Sequence, residues 1–349
     1  MTSHDDAPRR RSLAAAPATS AGPHYTVVIP TIGRRCLQDC LRSLAAAARP
    51  APHQVIVVDD RPGRNAPLDT RGAGPLAGRL HVLTSGGRGP AAARNEGLRH
   101  VTTEWVVFLD DDVRVLSDWG ARLLGDLRAA GPLTVGVQGR LRVPRAAGRR
   151  PTDWERCTAG LERAAWATAD MAYRTRPVAG AGGFDERFPR AFREDADLAL
   201  RLQDAGWLLA RGTRSTLHPV RRTDRWVSVR AQRGNADDAL MRRLHGPDWW
   251  SRAEAPRGRL PRHLVVTTAG LAAALLALVG RRRASASAAG LWLLGTAEFA
   301  WARIAPGPRT GPEIATMVGT SIAIPPLAVG SWAVGLVRHR GARPWGGTR

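Results

Sequence analysis

Residues 104–115 read Glu-Trp-Val-Val-Phe-Leu-Asp-Asp-Asp-Val-Arg-Val, and no other stretch restricts the fold as much. The apolar run Trp105 to Leu109 is short and rich in β-branched and aromatic residues, as in a strand buried on both faces. It runs straight into Asp110, Asp111 and Asp112. Three adjacent carboxylates repel one another and are costly to bury without a counter-charge. A strand that ends at a cleft and presents oxygen ligands to a hard divalent cation accounts for the pattern. A solvated acidic turn after a core strand is the plain alternative, and the surrounding chain decides between them.

Upstream, the same design recurs. Tyr25 to Pro30 predicts a first strand, followed by a helix over Cys36 to Ala48 with Leu37, Leu41 and Leu44 on one face. Gln54 to Val58 predicts a second buried strand that ends in Asp59-Asp60, and residues 61–78 read as a loop. Leu80 to Leu83 is a third short strand. Ser85-Gly86-Gly87-Arg88-Gly89-Pro90 then opens a helix over Ala91 to His100. Strands alternating with helices argue a parallel α/β sheet covered on both faces. Ligands of such sheets bind at the carboxyl ends of the strands. Those ends carry Pro30-Thr31, Asp59-Asp60 and the triple Asp, and this convergence favours the metal over the acidic turn.

The glycine loop lacks the Gly-x-Gly-x-x-Gly spacing of a dinucleotide fingerprint. It could hold a phosphate on backbone N–H groups at the helix start, or Arg88 and Arg94 could supply the cations instead. Further on, residues 117–129 predict a helix and Thr134 to Val143 a strand, with a basic loop over 144–153 and a turn at 179–186. Glu194-Asp195-Ala196-Asp197 begins another helix, where the macrodipole favours carboxylates. An acidic N-cap accounts for Asp197 but does not require Glu194 and Asp195 as well.

Composition excludes several chemistries. The chain of 349 residues carries a formal net charge of +22 and contains no lysine, so all 52 cationic side chains are arginine. A Schiff-base lysine and a Walker-type phosphate loop are therefore ruled out. The basicity suits anionic lipid or a phosphorylated substrate. No aromatic residues are interleaved with the arginines in a stripe, so no nucleic-acid partner is expected. Cys36, Cys40 and Cys157 form no disulfide framework, and the Cys36/Cys40 pair has no matching second half for a metal site. Arg9-Arg10-Arg11 faintly resembles a twin-arginine signal, but its apolar part is short and broken by Pro17, so residues 1–23 read as a disordered basic tail.

Beyond residue 258 the chain changes character. Leu264 to Gly280 is 17 uncharged residues closed by Arg281-Arg282-Arg283, residues 284–302 carry one charge at Glu298, and Ile314 to Val337 is 24 residues without charge. Two to three hydrophobic helices over 259–340, kinked at Pro325-Pro326, imply membrane association. Arginines flank every segment, so charge does not orient them. Residues 341–349 are a tail.

Taken in chain order, several pieces match one family: Val27-Val28-Ile29-Pro30-Thr31, Val55 to Asp60, Ala93-Arg94-Asn95-Glu96-Gly97, Phe108 to Asp112, Gly182 to Glu186, Glu194 to Leu198 and Leu217-His218-Pro219. On these the chain resembles the family 2 glycosyltransferases. The resemblance implies the GT-A fold over 24–258, Rossmann-like, with a mostly parallel sheet flanked by helices, followed by the C-terminal hydrophobic helices. It implies a nucleotide-sugar donor and a Mn²⁺ or Mg²⁺ ion. Asp59 and Asp60 would contact the nucleoside beside Pro30 and Thr31. Asp110 to Asp112 would bind metal and diphosphate, Asp112 directly. His218 matches a histidine that completes the metal shell, or else is a loop histidine before Pro219. Asp195, with Glu194 beside it, matches the catalytic base of an inverting single displacement. The Gln-x-x-Arg-Trp of processive synthases is not evident, Gln232-Arg233-Gly234-Asn235 being a partial echo, so transfer of one or few sugars is expected. The acceptor would be a glycan or lipid-linked, and the catalytic domain would face the cytoplasm from the cell membrane. A non-catalytic basic membrane or nucleic-acid binder on this scaffold, or a related nucleotidyltransferase, are the competing readings.

Overall fold

A computed structural model describes residues 23–63 and 66–345. The tail expected over 1–23 lies outside the described residues except for Pro23, and so do residues 346–349. The first half of the chain alternates as its apolar runs predict: β1 (Tyr25–Thr31), α1 (Cys36–Ala47), β2 (Val55–Asp59), β3 (Leu80–Thr84), α2 (Pro90–Arg99) and β4 (Trp105–Leu109). Part of the stretch read as a loop, Arg71–Arg79, is 3₁₀-helical. A two-residue strand β5 (Arg114–Val115), α3 (Trp119–Ala129) and β6 (Thr134–Arg142) follow. Next come α4 (Asp153–Ala159), β7 (Asp170–Arg174), α5 (Thr175–Gly180), α6 (Glu194–Asp204) and β8 (Leu208–Leu217).

The central strands lack polar alternation because each face feeds a different layer. Val27, Ile29, Val55, Val57, Val107 and Leu109 pack with Leu37, Leu41 and Leu44 of α1 and Trp119 and Leu123 of α3. Val28, Ile56, Val58, Val106 and Phe108 pack with Ala91 and Ala93 of α2 and Leu198 and Leu202 of α6. Period-two geometry sends successive side chains to opposite faces, so both sets must be apolar.

The eight strands run in the order β3-β2-β1-β4-β7-β6-β8-β5. Pairing is parallel from β3 to β4, then antiparallel where β7 joins β4 and β6. The sheet is thus mixed, with β6 and β8 parallel and the parallel pairs still in the majority, as the mostly parallel expectation has it. β7 carries no long apolar run, and β8 starts in the short run Trp207 to Ala210 but carries Arg211 and Arg214 in its interior. The order change between β1 and β4 leaves the carboxyl ends of β1, β2 and β4 around one cleft.

The remainder is helical: α7 (Val227–Arg230), α8 (Asn235–His245), α9 (Trp249–Arg252), α10 (Leu260–Leu278), α11 (Arg282–Ile304) and α12 (Gly311–Arg338). α10 and α12 are each long and apolar enough to cross a membrane. α12 continues through Pro325 and Pro326 as one helix. It packs against α7 and α8 and also against α10 and α11.

Candidate active site

β4 delivers the three aspartates to different surroundings. Asp111 turns inward, where the Thr31 hydroxyl donates to it at 2.6 Å and Arg34 Nη1 at 3.1 Å. Burial raises its pKa above the ordinary carboxylate range, against these two partners, which lower it. Asp110 and Asp112 flank it at the cavity. β5 pairs antiparallel with the end of β8, matching Arg114 with Leu217, so the next residue, His218, folds back onto Asp112. Ligand atoms of Asp110, Asp112 and His218 all lie within 4.8 Å of one another. Two carboxylates and an imbedded imidazole form a donor set that suits Mn²⁺ or Mg²⁺. His218 Nδ1 is buried with no hydrogen-bond partner. Asp112 is faced by His218 Nε2 at 3.5 Å, Arg221 Nε at 3.2 Å and Arg34 Nη1 at 4.0 Å.

The acidic pair at the start of α6 is divided between two environments. Arg193, just before it, sits in the left-handed region at φ 78° and anchors on Asp238 at 2.7 Å. That sharp entry points Glu194 into the protein and Asp195 toward the cleft. Glu194 is 2% exposed and accepts from Arg94 Nη1 at 2.7 Å. Burial pushes its pKa up to about 7, Arg94 opposing and the Asp195 charge adding to the rise. Asp195 lines the cavity. Its carboxylate accepts from the Ala196 amide at 2.7 Å, and burial raises its pKa as well. Arg94 Nη2 donates to Asp110 at 2.9 Å, so one buried guanidinium joins the carboxylates of β4 and α6 across 84 residues of chain.

The second strand end serves the glycine loop. Asp60 accepts from Ser85 Oγ at 2.6 Å and from the Arg88 and Gly89 amides at 2.9 Å each. The Arg88 and Gly89 amides, one of the two alternatives for holding a phosphate, are therefore taken by Asp60. Gly89 has φ 99°, and a Cβ there would meet the Pro189 carbonyl oxygen at 2.8 Å, so only glycine fits. Asp59 is clasped by Arg61, with its closest contact at 2.6 Å. Arg88 donates to Glu186 at 3.1 Å and to the Ser85 carbonyl at 3.0 Å.

These strand ends and the start of α6 border a cavity of about 930 Å³. Of the residues singled out in the sequence, Pro30, Thr31, Asp60, Arg94, Asp110, Asp111, Asp112, Asp195 and His218 line it, whereas Asp59, Arg88 and Glu194 do not. Two arginines unremarked in the sequence, Arg34 and Arg221, stand at Asp112. The opposite wall is Trp154, Cys157 and Thr158 of α4, then Leu161 and Ala164, with residues 253–256 at one edge. Nothing in the composition of 144–180 marks this wall; it exists only because α4 is folded against the cleft.

Residues 26–180 match the family model described as Glycosyl transferase family 2. A pre-mycofactocin glycosyltransferase, found in two strains of Mycobacterium tuberculosis, is 34% identical over 214 residues. The match covers 54% of this chain and 42% of that protein, so the chain spans less than half the length of these curated relatives. Among solved structures, the mannosyltransferase PcManGT from Pyrobaculum calidifontis, in complex with GDP-Man and Mn²⁺, aligns with a TM-score of 0.53 at 18% identity. That alignment covers 92% of this chain and 89% of the other, and it shows a common fold, the GT-A fold expected from the motifs. The region from β1 into α5 is similar to the family 2 glycosyltransferases, and the motifs beyond it follow in the order that the resemblance implies.

Proposed function

We propose that this enzyme transfers a sugar from a nucleoside-diphosphate sugar to an acceptor hydroxyl, with inversion, the acceptor being a glycan or lipid-linked molecule of the cell envelope. The observation that carries the reading is the placement of Asp195 in the same cavity as Asp110, Asp112 and His218, with Glu194 held off by Arg94. A base and a charge-binding cluster sharing one chamber is what a single displacement requires. PcManGT, of the same fold, is described with a nucleotide sugar and Mn²⁺.

Asp110, Asp112 and His218 would hold Mn²⁺ or Mg²⁺. When bound, such an ion stabilises the charge that develops on the leaving diphosphate. Thr31 and Arg34 fix Asp111 and so set the position of its two neighbours. Arg34 and Arg221, both partly exposed at the cluster, are the guanidiniums placed to meet phosphate oxygens. Arg94 is committed to two carboxylates and acts by fixing them. Pro30, Thr31 and Asp60 would border the nucleoside; Asp59 would act there through Arg61. In the transfer, the acceptor oxygen bonds to the anomeric carbon as the carbon–phosphate-oxygen bond breaks, and the hydroxyl proton passes to Asp195. No covalent enzyme nucleophile is needed.

The domain would work at the cytoplasmic face of the cell membrane, held there by the apolar C-terminal helices. A screen of nucleotide sugars with Mn²⁺ or Mg²⁺, reading nucleoside diphosphate release, tests the reading. Release by the parent protein that disappears in Asp195→Asn is expected. Absence of release with every donor, in the presence of membrane extract as acceptor, would overturn it.

A further inference from the structure

The three C-terminal helices differ in what they touch. α12 is in contact with the catalytic domain at both ends. Near its start, Glu313 accepts from the Asp153 amide of α4 at 3.0 Å. Near its finish, Gly335 lies so close to α8 that a Cβ there would meet the Ala236 carbonyl oxygen at 2.6 Å. Those two points are about 33 Å apart along the helix, comparable to the roughly 30 Å hydrocarbon core of a bilayer. A crossing α12 would carry α7 and α8 into lipid with Arg230, Arg242 and Arg243, which are exposed to solvent.

α10 and α11 form a hairpin that is free at its far half. Its buried residues, including His263, Val266, Phe299 and Arg303, lie near the base. Beyond them Leu271, Leu275, Leu278, Leu291, Leu293 and Leu294 are exposed. Charge is layered at the two extremes. At the base are Arg259 and Arg262 with Glu298, and Arg303, which bonds Asp153 of α4 at 2.8 Å and Thr320 of α12 at 2.7 Å. At the tip are the exposed Arg281, Arg282 and Arg283. From Arg262 to Arg281 the helix rises about 28 Å, so one arginine layer matches each headgroup region. A tip ending at the bilayer midplane would leave three guanidiniums in hydrocarbon. The exposed Trp301 sits at base level, where aromatic residues favour the interface.

We propose that the α10–α11 hairpin crosses an anionic phospholipid bilayer, whereas α12 lies flat between the bilayer and the catalytic domain. The tip arginines then sit on the side opposite the active site, and residues 339–345 stay on the active-site side. Because Arg303 at the hairpin base grips Asp153, the α4 wall of the cavity rests at the membrane surface. The inference builds on the proposed membrane association, and the test separates the two.

Full-length protein in which Cys36 and Cys157 are serine, with the buried Cys40 retained, would carry one added cysteine: His53→Cys in the catalytic domain, Arg282→Cys at the tip, or Arg340→Cys after α12. Each is reconstituted into sealed phosphatidylcholine–phosphatidylglycerol vesicles and treated with a membrane-impermeant maleimide. Flotation with the vesicles, labelling at 53 and 340 without detergent, and labelling at 282 only after detergent are expected. Protection at 340 would make α12 a span and overturn the proposal. Free labelling at 282 would deny the crossing. Failure to float would overturn membrane association itself.

Discussion

Two buried arginines organise this protein, and they differ in completeness. Arg214 of β8, fully buried, donates to Asp170 at 2.7 Å, to Asp126 at 3.1 Å and to the Val137 carbonyl at 2.7 Å. Trp119 and Thr216 complete Asp170, and Thr213 completes Asp126. Arg94 of α2 also bridges two carboxylates, but its Nε and one oxygen of Glu194 are buried without partners. The Arg214 network is closed and fastens β6, β7, β8 and α3 together. The Arg94 network is open on its Asp110 side toward the cavity. Unsatisfied buried polar groups are costly, so the Arg94 network stabilises the fold less completely than the Arg214 network does.

The comparison can be broken at four points. Arg214→Met should leave two buried aspartates unpaired and cost about 3–5 kcal/mol of stability, read from urea unfolding; a loss under one would mean the network is not closed. Asp195→Asn should lower kcat about a thousandfold while calorimetry finds donor affinity nearly unchanged. If its only defect is lost donor binding, the base assignment is wrong. Asp112→Asn should lower turnover at least about a hundredfold with the fold intact by circular dichroism; full activity of this variant in EDTA would sink the metal reading.

The mildest effect concerns pH. Asp195 must be ionised to accept a proton, and burial raises its pKa. Transfer should therefore fall as pH drops through a value above the ordinary carboxylate range. Glu194→Gln removes a like charge and leaves Arg94 to favour the ionised form of Asp195. The acid limb should then move to lower pH, by about one unit or less, with kcat impaired but measurable. An unmoved limb would show that the two carboxyls titrate independently.

Much of the catalytic half was legible because its signals are local. An apolar run ending in carboxylates marks a strand end whatever surrounds it, and β1, β2 and β4 lie within a residue or so of where the sequence puts them. The β7 and β8 strands were not legible: Ala-Tyr-Arg and Arg-Gly-Thr-Arg carry no run, and β8 tolerates Arg214 only because Asp126 and Asp170 come to meet it. The acidic pair at the start of α6 is visible in the sequence, but the Arg94 contact that holds Glu194 away from the cavity is not. The resemblance assigns Asp60 to the nucleoside, and the structure shows that it also fastens the glycine loop through Ser85 and the Arg88 and Gly89 amides.

By itself, then, the sequence determined the strand ends, the carboxylates they carry, the absence of lysine chemistry and the apolar character of the C-terminal segments. These depend on residues adjacent in the chain, where pattern and geometry coincide. Tertiary structure decided which carboxylate faces the cavity, which arginine is spent on which partner, and that α12 is held along its length by the domain. Each of those depends on groups as much as 160 residues apart meeting at hydrogen-bond or van der Waals distance, and no periodicity records such a meeting.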